Sequence, residues 1–209
     1  TKTPIANLKM LNETMLTRSI SEEQRKEFLR ATGSQLDKLD FLIQAMVKTS
    51  RLETGVIRLK KTDDSIEETL VTALNGVLVL LEKKNIELTV NYPEGLTVSH
   101  DSRWTSEALF NLLDNAVKYT PSGGSICVSV QPWEMYLKID VTDTGRGIPE
   151  REQAAIFKRF YREEAVHDVD GIGIGLYLAR EIITMQGGYI LVTSKVGKGS
   201  TFSVFLPRS

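Results

Sequence analysis

Asn111-Leu112-Leu113-Asp114-Asn115-Ala116-Val117-Lys118-Tyr119 divides into two faces once it is wound as a helix. At about 100° per residue, Asn111, Asn115, Lys118 and Tyr119 share one arc, whereas Leu109, Leu112, Leu113, Ala116 and Val117 fill the opposite one. One half is suited to packing and the other to chemistry. Two amides a turn apart offer oxygen donors to a hard cation such as Mg²⁺, which prefers oxygen ligands and keeps waters and substrate phosphates in its shell. Lys118, further along the same arc, supplies a point charge for a phosphate. Taken alone, the stretch is equally well explained as a solvated helix face that happens to carry amides.

Three glycine-bearing stretches follow it: Asp143-Thr144-Gly145-Arg146-Gly147-Ile148-Pro149, Gly171-Ile172-Gly173-Ile174-Gly175-Leu176 and Gly197-Lys198-Gly199-Ser200-Thr201-Phe202. Each sits at an element boundary, where glycine lets a backbone approach a ligand closely. In this order the four stretches resemble the N, G1, G2 and G3 boxes of the sensor histidine kinase ATP-binding domain, a member of the GHKL (Bergerat-fold) ATPase superfamily. The resemblance covers nearly the whole chain. It implies an α+β protein: an N-terminal helical hairpin forming a dimeric four-helix bundle, followed by a two-layer α/β sandwich of the GHKL ATPase type.

The 209 residues carry a net charge of −1, with 41% hydrophobic and 25% charged side chains, an ordinary globular composition. This length holds one large domain, or a small helical element plus a domain of common size. The charge balance gives no general attraction to nucleic acid or to an anionic membrane, and no nucleic acid is expected among the partners. The single Cys127 rules out an intramolecular disulfide and suits a reducing cytosol. Its alternation with Ile126, Val128 and Val130 marks a plain strand residue. No apolar run approaches the ~20 residues of a spanning helix, and the start lacks the pattern of a signal peptide. The chain as given is expected to be soluble.

Residues 1 to about 54 read as two helices. In the second, Leu29, Leu36 and Ile43 recur every seven residues, interleaved with Thr32, Leu39 and Met46, and the heptad seam is broadened by Phe28, Leu42 and Val47. The first carries Ile5, Leu8, Asn12 and Met15 at the same spacing, and a capping pattern within Ser19 to Glu23 restarts a helix near Ser21. Two such helices cannot enclose a core alone, so a homodimer built on a four-helix bundle is expected. The opening Thr1-Lys2-Thr3-Pro4-Ile5 resembles the tail of the phosphoacceptor motif of the dimerisation and histidine-phosphotransfer hairpin, His-Glu-x-Lys/Arg-Thr-Pro. On that pattern the acceptor His and its acidic neighbour fall just before Thr1. Thr3 matches the residue that positions water in the phosphatase reaction on a response regulator, and Pro4 matches the proline that bends the first helix. A chance N-terminus with Pro in its first turn is the plainer alternative.

Beyond Val56 the pattern becomes mixed. A short strand is expected near Arg58 to Lys60, then a helix capped by Asp63 or Asp64 and running to about Lys84, with Ile66, Leu70, Leu74, Val77, Leu78 and Leu81 buried. A strand over Ile86 to Asn91, a turn at Tyr92 to Gly95 and a strand over Leu96 to Ser99 follow. Asp101 then caps the helix that carries Asn111. His100 and His167 lack further ligands at metal spacing and are read as junction or surface residues. Strands are expected at Ser125 to Gln131 and Met135 to Thr142, joined around Pro132-Trp133. In the second, Leu137, Ile139 and Val141 share a face, and the period of two places Asp143 on it. A carboxylate that continues an apolar face needs a hydrogen-bond donor. An adenine amino group is one such donor, and capping of the next turn is the other common use.

In the resembled family the residue matching Asp143 accepts from the exocyclic amine of ATP, which disfavours guanine. Ile156 to Arg162 resembles the F box, and Glu163 to Asp170, charged and without apolar period, reads as a lid. Arg162 would then reach the γ-phosphate. The Gly171-x-Gly173-x-Gly175 run opens a helix whose N-terminal amides favour an anion. The resemblance implies nucleotide contacts from Asn111, Asn115, Lys118, Tyr119, Asp143, Gly145, Gly147, Ile148, Tyr161, Gly171, Gly173, Ile174, Gly175, Leu176 and Thr201. It puts Mg²⁺ on Asn111 and Asn115 and gives catalytic roles to Asn111, Lys118 and Arg162. The implied function is that of a protein-histidine kinase core, the cytoplasmic part of a protein anchored in a bacterial membrane. Residues 1–54 would form the hairpin and 55–209 the ATP-binding domain. The γ-phosphoryl would pass from ATP to a hairpin histidine absent from this chain, then to an aspartate of a response regulator receiver domain. Hydrolytic relatives of the gyrase, Hsp90 and MutL types carry a glutamate where Asn111 stands, and an amide cannot act as a general base. An ATPase is therefore a minor alternative, and a non-catalytic dimeric scaffold that binds ATP is another.

Overall fold

The computed structural model describes residues 4–161 and 173–208. The chain divides into two compact units, Thr1–Val56 and Ile57–Ser209. In the first, α1 (Pro4–Thr17) packs on α2 (Glu22–Glu53). Ser21 starts α2 with a reciprocal capping box. Its hydroxyl accepts from the Gln24 amide (3.2 Å), and the Gln24 side chain accepts from the Ser21 amide (3.0 Å), satisfying two helix-end donors at once. Within one chain the α2 seam stays uncovered: Leu29, Leu36, Ile43, Met46 and Val47 are all exposed.

In the second unit, β1 (Thr62–Ser65), α3 (Ile66–Asn75), α4 (Leu78–Lys84), β2 (Glu87–Asn91) and β3 (Thr97–His100) precede α5 (Ser102–Tyr119). Then come β4 (Ser125–Pro132), β5 (Tyr136–Asp143), a short α6 (Glu150–Gln153), α7 (Gly175–Met185), β6 (Tyr189–Lys195) and β7 (Gly199–Pro207). The main sheet runs β2-β4-β5-β7-β6, with β2 parallel to β4 and the remaining pairs antiparallel; β1 and β3 form a separate ribbon. Helix α5 packs between α3 and α7 and lies against β5. Its Leu109, Leu112 and Leu113 are buried, as are Ile126, Leu137, Ile139, Leu206, Ile182 and Ile183. Each such side chain contributes about 1.5–3 kcal/mol on burial, so the packing half of α5 anchors the binding half. The result is the α+β arrangement of helices and mixed sheet that the resemblance implied.

Two local expectations are corrected. The first strand is Thr62–Ser65, not Arg58 to Lys60, and it holds both aspartates expected to cap the helix: Asp63 pairs with Ser99 and Asp64 with Val98. The cap is Ser65, whose hydroxyl accepts from the Glu68 amide. The helix expected to reach Lys84 unbroken stops at Asn75 and restarts at Leu78. At the break, a Cβ on Gly76 would lie 2.6 Å from the Phe110 ring, so glycine there admits an aromatic neighbour but weakens the helix. The turn of direction leaves Leu78 exposed and not buried. His100 sits at the expected junction, ending β3 just before α5, but the surface alternative fails. It is fully buried, not a surface residue, with Nδ1 2.7 Å from the Val98 carbonyl and Nε2 2.8 Å from the Thr69 hydroxyl. A carbonyl only accepts, so Nδ1 carries a proton toward Val98, and Nε2 meets a Thr69 hydroxyl that also reaches the Ser65 carbonyl at 3.2 Å. His167 lies outside the described residues.

Candidate functional site

Asp101 begins α5 by accepting from the Trp104 amide (3.0 Å) while its other oxygen accepts from the Lys60 amide (2.8 Å). The helix then places Asn111, Asp114, Asn115, Lys118 and Tyr119, all half-buried, opposite its leucine stripe. Asn111 donates its amide nitrogen to the Glu107 carbonyl (2.8 Å), which turns Oδ1 outward. That oxygen faces the start of α7, where a Cβ on Gly175 would come within 2.9 Å of it. The Asn115 side chain makes no hydrogen bond to another described residue. Lys118 pairs with Asp114 one turn back, at 2.5 Å. Partly exposed i,i+4 pairs contribute about 0.3–0.5 kcal/mol, which is weak enough for a phosphate to displace. The sequence reading passed over Asp114, although the spacing to Lys118 was visible.

Asp143 ends β5 on the buried face, only 5% exposed, continuing Leu137, Ile139 and Val141. Oδ1 accepts from the Gly145 amide (2.8 Å), and the Ser200 amide adds a second bond. Burial pushes its carboxyl above the ordinary carboxylate value, and these two amides only partly offset the effect. Gly145 has no room for a side chain: a Cβ would sit 2.7 Å from both Asp143 Oδ1 and the Tyr119 carbonyl. The end of α5 and the carboxylate therefore share one wall. Gly147, at φ +71°, lies so close to the Lys195 carbonyl that any Cβ would collide with it. The Ile148 amide donates to Ser194 Oγ (2.8 Å) and fixes this turn on β6.

At the other end, Ile174 is buried and precedes α7 without contributing a side-chain cap, so no capping group competes with an anion for the first-turn amides. Gly173, at φ +75°, packs against the Tyr161 carbonyl, and its own carbonyl accepts from the Phe160 amide (2.8 Å). Tyr161 and Leu176 are half-buried beside this junction. Thr3, Arg162, Gly171 and the expected lid, Glu163 to Asp170, lie outside the described residues.

Thr201 is not brought to Asp143. In the β5–β7 register Asp143 stands opposite Ser200, and Thr201 stands opposite Thr142. Residues opposite each other share a face and neighbours alternate, so Thr201 points to the far side of the sheet and bonds Thr142 Oγ1 (3.1 Å). Ser200 is the residue beside the carboxylate. It is buried, its hydroxyl lies 2.9 Å from Ser194 Oγ, and its amide reaches Asp143. The alternation alone does not pick out Ser200, because Phe202 and Phe205, on opposite faces of β7, are both buried.

The arrangement has two poles on one helix. Asn111 with the α7 N-terminus forms one, and Tyr119, Gly145 and Asp143 form the other, about 12 Å away along α5. Bare glycine backbone lines both poles: Gly175 packs against the Asn111 amide oxygen at one, and Gly145 against the Asp143 carboxylate at the other, with the Lys118 ammonium on the helix that joins them. These groups fit a nucleotide triphosphate with a hard cation. Among the described residues no group of three or more His, Cys, Asp and Glu is placed to hold a metal ion.

Residues 100–209 match the family described as Histidine kinase-, DNA gyrase B-, and HSP90-like ATPase. The chain belongs to this ATPase family. Among curated relatives, the adaptive-response sensory kinase SasA of Synechococcus sp. (strain JA-3-3Ab) is 32% identical over 191 residues, 90% of this chain and 51% of its own length. The chain thus spans about half the length of the curated relatives it matches first. Full-length ShkA, solved in complex with AMPPNP, superposes with a TM-score of 0.76 at 25% identity, covering 99% of this chain and 42% of that one. Histidine kinase ThkA, solved in complex with the response regulator protein TrrA, gives 0.80 at 22% identity, covering 99% and 58%. Within this ATPase family the sequence relatives are sensor histidine kinases.

Proposed function

We propose that the chain is the catalytic core of a sensor histidine kinase, with residues 55–209 as the ATP-binding domain and 1–54 as the dimerisation and phosphotransfer hairpin. The observation that carries this reading is Asn111, whose amide nitrogen is held by Glu107 and whose oxygen faces the N-terminus of α7. A glutamate there could activate water, whereas this amide can hold a cation but cannot take a proton. That favours transfer over hydrolysis.

On this reading Asn111 and Asn115 would hold Mg²⁺, which when bound neutralises phosphate charge and orients the triphosphate. Asp143 accepts from the adenine amine at the far pole, with Ser200 beside it and Tyr119 packing next to the base. Lys118 leaves Asp114 for a phosphate, and Arg162 adds a bidentate donor. Phosphoryl transfer asks a protein chiefly for placement and charge stabilisation, and these groups provide both. The γ-phosphoryl goes to the histidine of the phosphotransfer hairpin motif, then to an aspartate of a response regulator, with Thr3 aligning the water that hydrolyses the aspartyl phosphate to release inorganic phosphate. The uncovered seam of α2 supports a homodimer. No described helix is long and apolar enough to cross a membrane.

Calorimetry with ATP and Mg²⁺ tests the site. Saturable, Mg²⁺-dependent heat that is lost in Asn111→Ala and Asn115→Ala is expected, and absence of heat from folded protein would refute the assignment. Incubation with γ-labelled ATP should leave this chain unlabelled, and acid-labile label on buried His100 would overturn the placing of the acceptor.

A further inference from the structure

The end of α5 is held by a residue outside the four boxes. Lys84, the last residue of α4, donates through Nζ to the carbonyls of Val117 (2.7 Å), Lys118 (3.0 Å) and Thr120 (2.8 Å). An ammonium has three donors, and all three are used. They meet carbonyls at a helix C-terminus, where backbone acceptors lack intrahelical partners and the dipole favours a cation. The Lys84 carbonyl accepts from the Gly123 amide (3.0 Å), so the same residue also holds the turn leading into β4. Between the carbonyls taken by Lys84 lies that of Tyr119, against which Gly145 packs without space for a Cβ. Gly145 in turn donates to Asp143. A continuous line of contacts runs from the Lys84 ammonium through the last turn of α5 to the carboxylate.

We propose that Lys84 is a positioning residue for the adenine pole of the nucleotide site. Its tripod of hydrogen bonds sets the height of the α5 terminus against the Gly145 turn and so fixes Tyr119 and Asp143 relative to each other. Lys84 is about two turns of α5 away from Asn111 and the α7 N-terminus, so its removal acts first on the base, and any effect on the phosphates passes through Lys118, whose carbonyl it also holds. This inference rests on the nucleotide reading above.

The test is a nucleotide titration of the full chain carrying Lys84→Met, which keeps the stem and removes the donors, and Lys84→Arg, which restores a cation. Folding is monitored by circular dichroism. Lys84→Met should weaken ATP and ADP alike by about tenfold, on the scale of a lost hydrogen-bond contribution, with the Mg²⁺ dependence of ATP binding unchanged. Lys84→Arg should recover part of the loss, because a planar guanidinium cannot reproduce three convergent bonds. A parallel shift of the Gly145 amide resonance in the nucleotide-free protein would report the displaced turn directly, a readout that general loosening of the fold would not confine to one amide. Should Lys84→Met fail to fold, Lys84→Arg carries the test through the same resonance and affinity. Wild-type affinity and an unmoved Gly145 resonance in the folded variants overturn the proposal. If Asp143→Ala also leaves affinity unchanged, the nucleotide reading itself is what has failed.

Discussion

Replacing Asp143 with Asn separates what the carboxylate does for the fold from what it does for a ligand. In the fold its carboxyl is raised above its ordinary value of 3.8, chiefly by burial, with the Gly145 and Ser200 amides opposing. A raised acid binds its proton more tightly when folded, so ionisation costs more in the folded chain than in the unfolded one. Stability contributed by the protonated form is present below 3.8 and is lost as pH rises from there through the raised folded value. Asp143→Asn removes that penalty. Its stability relative to wild type should rise from acid toward neutral pH and level off above the folded value, as read by urea unfolding at a series of pH values. Binding should move the other way. A hydrogen bond to a charged acceptor contributes about 1.5–3 kcal/mol, which at 1.4 kcal/mol per decade is about ten- to a hundredfold in ATP affinity. Because an amide can also donate, the preference for ATP over GTP should narrow. A variant that binds ATP within about threefold of wild type, or that loses stability at neutral pH relative to acid, would refute the reasoning.

Gly147→Ala forces a side chain into φ +71° and against the Lys195 carbonyl; it should destabilise the second unit by at least about 2 kcal/mol, measured by denaturant midpoint. Thr69→Val leaves His100 Nε2 buried without its hydrogen-bond partner, a loss of about 1–3 kcal/mol that unfolding curves would register, whereas nucleotide affinity in the folded protein should hold. Leu36→Asp places a charge in the exposed heptad seam and should convert the dimer to a monomer by light scattering while MgATP affinity is retained.

The helix bearing Asn111 was legible because two independent requirements, an apolar stripe and a polar arc, share its period, and the structure buries one and half-exposes the other residue by residue. Asp143 was legible for the same reason on a strand, where the period of two admits only two faces. What failed was the local competition between caps. Asp63, Asp64 and Ser65 are all good caps, and pairing of the aspartates with β3 left the role to Ser65, a choice made by a partner strand more than thirty residues away. His100 was misread because its partner Thr69 is likewise distant in sequence.

The remaining miss, Thr201 taken where Ser200 belongs, shows how a motif and a period combine. A motif fixes a neighbourhood to within one residue, but on a strand one residue is the difference between two sides of a sheet. Buried Phe202 and Phe205 point to opposite faces, so the phase is fixed instead by the pairing with β5, which sets Ser200 opposite Asp143. A direct comparison decides it: Ser200→Val should weaken ATP binding by crowding the carboxylate wall, and Thr201→Val, on the far face beside Thr142, should leave affinity unchanged. The reverse pattern in a nucleotide titration would mean that the β5–β7 register, and with it the geometry of the adenine pole, had been misassigned.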